Sequence, residues 1–307
     1  MKILCTSDLH LVLAWRSNVL KALNDWVRVL KPDALLVAGD IAVAAEADPA
    51  LHELRRVFPH GPIIAALGNH DFWVGSASDC RTLAEVVERF WQVPTQRYEV
   101  TLLDQENFNS PEITFIGGYG HYDLGFAVPE LRYEGKTVTR EHYLRGRPPV
   151  ETPLRWRDFD WMPRTADPST RGEAEADVIT TARSQIAAVQ SRIEAADSSR
   201  VVLALHTPPF QELLGIPDAS TLDPENPPIR AFFRAYLGNC AMGEMLRLYA
   251  GRIAGLICGH THRPAGPTDM GGFWGVNTGS DYGTPRGLML DSTEPMMTLS
   301  PIAELIA

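Results

Sequence analysis

Five short apolar runs in this chain each empty into a segment of oxygen and imidazole donors. Ile3-Leu4-Cys5-Thr6 leads to Asp8-Leu9-His10, and Ala34 to Ala38 leads to Gly39-Asp40. Ile63 to Leu67 leads to Gly68-Asn69-His70-Asp71, Val201 to Leu205 to His206, and Ile253 to Cys258 to Gly259-His260-Thr261-His262. Short apolar runs closed by turn residues read as buried strands. If each strand ends in donors, the strands lie side by side with their carboxyl ends at one edge, where ligands of α/β sheets bind. Five of the nine histidines fall inside these segments, which reads as one site assembled from distant parts of the chain.

The intervening sequence has the spacing of covering helices. Trp15, Val19, Leu20, Leu23, Trp26, Val27 and Leu30 recur at helical spacing until Lys31-Pro32 stops them. Helices are also predicted around Pro49 to Phe58, Thr82 to Trp91, Glu173 to Ala196 and Met242 to Tyr249. Further strands are expected at Ile113 to Ile116, Phe273 to Val276 and Leu288 to Leu290. This rhythm predicts α/β layering. Without an internal repeat or a linker-like stretch, residues 1–307 read as a single domain. Residues 118–172 break the rhythm. They are rich in Pro, Gly, Arg and aromatics, including Tyr119, Tyr122, Phe126, Tyr133, Tyr143, Trp156, Phe159 and Trp161. So long an aperiodic stretch inside a compact domain reads as a lid or substrate loop inserted in it. A second loop is expected to run to about Pro228.

An apolar content of 45% and a mean hydropathy of −0.12 suit a soluble protein with a sizeable core. The formal charge of −10 disfavours nucleic acid as a partner, because duplex binding needs basic surface to displace counterions. No apolar run approaches the ~20 residues that cross a bilayer, and Asp8 and His10 follow too soon after Met1 for a secretory leader. Four scattered cysteines, Cys5, Cys80, Cys240 and Cys258, form no CxxC pair and read as reduced thiols. A cytoplasmic protein that does not engage membranes is the expectation.

Oxygen and nitrogen donors without cysteine suit hard or borderline divalent ions, Mn and Fe foremost, with Zn, Ni or Co possible. The donors suffice for two ions. Asp8 and Asp40 bring −2 against +4, so the site stays net positive and attracts a phosphate. Two ions about 3.5–4 Å apart can share a water, lower its pKa and hold phosphoryl oxygens in line. Gly39, Gly68 and Gly259 fit tight turns or close approach at strand ends.

The order D-x-H, G-D, G-N-H-[DE], a lone His, then G-H-x-H resembles the calcineurin-like metallophosphoesterase superfamily, and spans residues 8 to 262. The resemblance implies a four-layer α/β/β/α sandwich of two mixed sheets flanked by helices. It implies that Asp8, His10, Asp40 and His262 bind one metal and Asp40, Asn69, His206 and His260 the other, with Asp40 bridging. It implies that His70 acts as proton donor or charge stabiliser at the leaving group, with Asp71 orienting it. It implies hydrolysis of a P–O bond in a small phosphorylated substrate by a metal-bridging hydroxide. Val43 stands where the purple acid phosphatase branch carries a metal-binding Tyr, which argues against a tyrosinate-bound ferric site. The Asn277-Thr278-Gly279-Ser280 turn resembles the family's closing loop beside the metals. His121 and the arginines Arg132, Arg140, Arg145, Arg147, Arg155, Arg157 and Arg164 are candidate phosphate contacts. Two other readings of the same residues stay open: a non-catalytic metal-binding scaffold, and a nuclease whose nucleic-acid groove lies within 118–172.

Overall fold

The apolar runs form strands because both of their faces find apolar partners. Strands follow in chain order as β1 (Lys2–Thr6), β2 (Ala34–Ala38), β3 (Ile63–Ala66), β4 (Val100–Leu102), β5 (Phe108–Asn109), β6 (Thr114–Gly118), β7 (Arg132–Tyr133) and β8 (Lys136–Thr137). The second half adds β9 (Val201–Leu205), β10 (Ile253–Cys258), β11 (Ala265–Asp269), β12 (Trp274–Asn277), β13 (Gly287–Asp291) and β14 (Thr298–Pro301). The computed structural model describes every residue except 13, 76–77, 164–170, 199, 224–226, 293–297 and 306–307, and leaves aside the side chains of 171–177 and 298.

One sheet has the order β14-β13-β1-β2-β3-β4 and the other β11-β12-β10-β9-β6-β5. β1 to β4 run parallel, as do β6, β9, β10 and β12, while β13, β14, β5 and β11 pair antiparallel. Both sheets are therefore mixed. Alternation along the strands separates three apolar layers, as the period of two requires. Ile3, Cys5, Leu36, Ala38 and Ile64 of the first sheet meet Phe115, Val202, Ala204 and Ile257 of the second. Leu4, Leu35, Val37 and Ile63 turn outward onto helices Arg16–Leu30 and Ala47–Val57. Val201, Leu203 and Leu256 turn outward onto helices Arg171–Ala195 and Cys240–Leu248. The result is the expected four-layer α/β/β/α sandwich. Cys5 and Cys258 are buried free thiols in its strands.

Two stretches depart from the sequence reading. The helix predicted to stop at Trp91 continues through Leu83–Val86, Val87–Trp91 and Gln92–Arg97. Pro94 lacks an N–H and its ring crowds the carbonyl four residues back. A wider π turn over Val87–Trp91 absorbs that mismatch, so the helix survives. The aperiodic segment, in its described part 118–163, carries the β7–β8 ribbon and helices Arg140–Leu144 and Asp158–Trp161. Its aromatics pack with Ile229–Tyr236, which follows the second expected loop, into a fourth apolar cluster. Tyr143 stacks on Phe232 at 4.8 Å, and the Phe232 N–H donates to the Tyr133 hydroxyl at 3.0 Å. Arg164 lies outside the described residues.

Parallel register carries the ladder past the strand ends. The Asp8 N–H donates to Gly39 O at 2.9 Å and the His10 N–H to Asp40 O at 2.9 Å. Across the second sheet, the His206 N–H donates to Gly118 O and the Gly259 N–H to His206 O. These bonds level the donor loops of each sheet.

Candidate metal centre

The donor loops are bent at a measurable cost. Asp8, His10, Asp40, His260 and His262 all have φ between 43° and 70°. An L-residue in this left-handed region gives up about 1 kcal/mol or more, and such residues gather where geometry is imposed for function. The three glycines expected at turns divide into two kinds. Gly39 has φ +86°, and a methyl built on it would fall on the His206 ring. Gly68 and Gly259 have no positive φ; a methyl on Gly68 would fall on the Asp40 carboxylate, and one on Gly259 on that of Asp8. Each motif glycine thus leaves room for a ligand supplied by another loop.

All seven candidate ligands meet at the carboxyl ends of β1, β2, β3, β9 and β10. The ligand atoms of Asp8, His10, Asp40 and His262 all lie within 4.8 Å of one another. His10 Nε2 is 3.2 Å from His262 Nε2 and 3.6 Å from Asp40 Oδ2, and His262 Nε2 is 3.6 Å from Asp8 Oδ1. A second group adjoins it. His206 Nε2 is 3.0 Å from Asn69 Oδ1, 3.2 Å from His260 Nδ1 and 3.3 Å from Asp40 Oδ1. Asp40 faces both groups, one oxygen toward each.

Counting protons tests whether these residues fit metal ions. His206 Nδ1 faces Ala38 O at 3.1 Å, and His260 Nε2 faces Tyr236 O at 2.9 Å. A carbonyl accepts, so each ring carries a proton there and turns its other nitrogen inward. His206 Nε2 and His260 Nδ1 converge with the amide oxygen of Asn69 and with Asp40 Oδ1, which also accepts the His70 N–H at 2.9 Å. His262 repeats the pattern, with Nδ1 3.1 Å from Asp281 Oδ1 and Nε2 turned toward His10. Positive charge relieves such crowding, whether as a proton on His206 or as a metal ion in its place, and the outward acceptors are those that orient metal-bound histidines. The electrostatics agree. Burial opposes a charge on His206, yet Asp40 and Asp8 outweigh it and push its pKa up to about 9. Burial, reinforced by His206, pushes His260 down to about 3. The buried carboxylates demand positive charge at this point.

The residues expected to act on the substrate fall into place differently. His70 Nε2 lies 3.9 Å from Asp40 Oδ2, and its ring stacks on Trp73 at 3.7 Å. Burial lowers its pKa in spite of Asp40. Asp71 does not reach the His70 ring. Its carboxylate accepts the N–H groups of Ile41 at 3.2 Å, Ala42 at 2.8 Å and Gly68 at 2.7 Å, so it ties the Asp40 loop to the Asn69 loop. The expectation that Asp71 orients His70 is corrected accordingly: a buried carboxylate takes the backbone donors nearest to it. Asn277 closes the far side, its amide donating to Gly259 O and Thr261 Oγ1 at 2.9 Å each. His121 is buried away from the cleft, in a separate cavity shared with Tyr122 and Gln185.

A cleft of about 540 Å³ opens over both groups. Trp73, Trp156, Phe233 and Tyr282 wall it, with Arg155, Arg157, Arg230 and Arg263 among its lining. Arg155 and Arg157 pair with Asp160 at 2.8 and 3.8 Å. Sequence reasoning did not single out Trp73, Asp158, Arg230, Arg263, Asp281 or Tyr282. Tyr282 stacks on His10 at 4.4 Å, and its position just past the closing turn was the available signal. Asp158 had none, since a lone acid in an aromatic-rich insertion resembles a surface charge. It is 2% exposed, and burial pushes its pKa up to about 6 against the N–H donors around it.

Metal-dependent phosphoester hydrolysis is the class of chemistry that fold and site define. The chain belongs to the calcineurin-like phosphoesterase family, whose profile matches residues 1–264. No curated protein matches it. Among solved structures it is similar to a phosphopantetheinyl hydrolase of Mycobacterium tuberculosis, with TM-score 0.61 and 18% identity over 96% of each chain. It is similar also to a dimetal phosphatase of Danio rerio, with TM-score 0.53 and 14% identity over 98% of this chain and 96% of that one. A Thermus thermophilus protein, TT1561, gives TM-score 0.50 and 12% identity over 98% of each. At these identities the likeness is one of fold. No helix among the described residues is long and apolar enough to cross a membrane.

Proposed function

We propose that this chain is a binuclear metal-dependent phosphoric ester hydrolase acting on a small phosphoester. One observation carries the reading: His206 Nε2, His260 Nδ1, Asn69 Oδ1 and Asp40 Oδ1 converge at 3.0–3.3 Å around a point where the buried carboxylates call for positive charge. In this reading Asp8, His10, Asp40 and His262 hold one ion, and Asp40, Asn69, His206 and His260 the other, Mn and Fe being the favoured pair. When bound, such ions supply positive charge for phosphoryl oxygens and lower the pKa of coordinated water. His70, held flat on Trp73 beside Asp40, offers its N–H to the leaving-group oxygen. Asp71 fixes the distance between the loops that carry Asp40 and Asn69. The insertion 118–172 acts as a lid on a single catalytic domain, and its residues Leu154 to Asp158 line the cleft. A cleft of about 540 Å³ suits a small molecule, which supports a small ester over a polymer. Free buried thiols at Cys5 and Cys258 agree with a cytoplasmic location.

The test is hydrolysis of p-nitrophenyl phosphate and bis-p-nitrophenyl phosphate. EDTA should abolish turnover and Mn²⁺ restore it, with two ions bound per chain. Full activity in metal-free protein would sink the reading, and two bound ions without turnover of any phosphoester would favour the scaffold.

A further inference from the structure

The insertion reaches the metal centre through one buried carboxylate. Asp158 opens the short helix Asp158–Trp161. Its Oδ1 accepts Asn69 Nδ2 at 2.9 Å and Trp73 Nε1 at 2.8 Å, and its Oδ2 accepts Trp156 Nε1 at 3.0 Å. Each of these donors belongs to a different part of the site. Asn69 is a candidate ligand, Trp73 is the platform beneath His70, and Trp156 is the insertion's own wall of the cleft.

The contact with Asn69 has a direct consequence. The two ends of a carboxamide are nearly the same size, so its orientation is set by hydrogen bonding. Only with its NH₂ on Asp158 does Asn69 turn Oδ1 toward His206 Nε2 and His260 Nδ1, at 3.0 and 3.1 Å. Reversed, its N–H groups would point at the cation. The other two bonds tie the insertion to the same point. Trp161, three residues on, accepts the Val74 N–H at 3.0 Å through its carbonyl, and its ring lies parallel to Trp73 at 6.3 Å. Trp156 stacks on Tyr236 at 4.8 Å, and the Tyr236 carbonyl receives His260 Nε2.

We propose that Asp158 is a positioning residue that couples seating of the insertion to metal occupancy of the Asn69–His206–His260 group, by fixing the Asn69 amide and the Trp73 indole with one carboxylate. The coupling is reciprocal: what seats the insertion favours the ion, and the ion favours the seated insertion. This inference rests on the proposed binuclear function.

Mn²⁺ titration of apo-protein, followed by calorimetry and tryptophan fluorescence, reads the coupling apart from turnover. In Asp158→Ala the second equivalent should bind about 10- to 100-fold more weakly, as for loss of other partners that orient metal ligands. The first equivalent, at Asp8, His10, Asp40 and His262, should be little changed. Mn²⁺ should slow proteolysis of the insertion in the wild type and not in the variant. Asp158→Asn keeps one oxygen for Asn69 and Trp73 and should recover most of the second-site affinity, which also serves if the alanine variant fails to fold. Wild-type binding of both equivalents by Asp158→Ala, or equal weakening of both sites, overturns the proposal. So does an Asp158→Asn variant no better than Asp158→Ala, or, where alanine fails to fold, one that has lost the second site outright. If the wild type itself binds no metal, the function falls first, and the two failures are distinct.

Discussion

Gly68→Ala places one methyl group where the proposed bridge sits. The added Cβ would fall on Asp40 Oδ1 and Asp40 N and come within 2.8 Å of His206 Cδ2, inside the 3.0 Å below which Cβ atoms essentially never approach. Gly68 has no left-handed φ, so the effect is steric and carries no backbone term. None of the neighbours has room to yield. Asp40 is 1% exposed and His206 fully buried, and the Gly68 N–H is tied to Asp71 at 2.7 Å. The Asp40 carboxylate then retreats by about 1 Å to regain van der Waals distance. Overpacking of this kind costs roughly 1–3 kcal/mol, which for a chain of this size lowers the melting midpoint by roughly 2–6 °C. The functional loss is larger, because a 1 Å misplacement near reacting groups costs about 100-fold in rate. The assay is metal content and kcat/KM on bis-p-nitrophenyl phosphate, with Gly251→Ala, whose added methyl meets nothing within 4 Å, as the neutral control. A Gly68→Ala protein that keeps two ions and activity within about threefold of wild type would refute the argument that the missing Cβ makes space for the bridge.

Two more outcomes derive from the same geometry. His70→Ala should retain both ions and lose about 100-fold in kcat, with the deficit growing as the leaving group becomes poorer; loss of an ion instead would make His70 a ligand. Asp281→Ala removes the acceptor 3.1 Å from His262 Nδ1 and should weaken one metal equivalent about tenfold, the low end for such partners because Asp281 is mostly exposed; an unchanged metal titration would show that the turn alone orients His262.

The donor set and the layering were legible in the chain for one reason. Buried parallel strands announce themselves as continuous apolar runs, and the residues just past each run fall at one edge of its sheet. Asp8, Asp40, Asn69, His206, His260 and His262 could therefore be grouped without coordinates. Order along the chain sufficed. The helix across Pro94 is not legible in the chain because a π turn leaves no periodic mark. The insertion was seen as an aperiodic gap because its core is built from aromatics that pack by shape, with Tyr143 on Phe232 and Trp156 on Tyr236.

Sequence by itself determined which donor residues stand together at the strand ends, since residue type and the strand-end position are local facts. Tertiary structure alone decided how those residues are held. Asp71 serves two loops instead of the His70 ring because backbone N–H groups just past β2 and β3 lie nearer to it. Gly68 is required by a carboxylate twenty-eight residues upstream in the chain. Asp158 reaches Asn69 from eighty-nine residues away. Such contacts depend on which surfaces the fold brings together, and no local pattern records them.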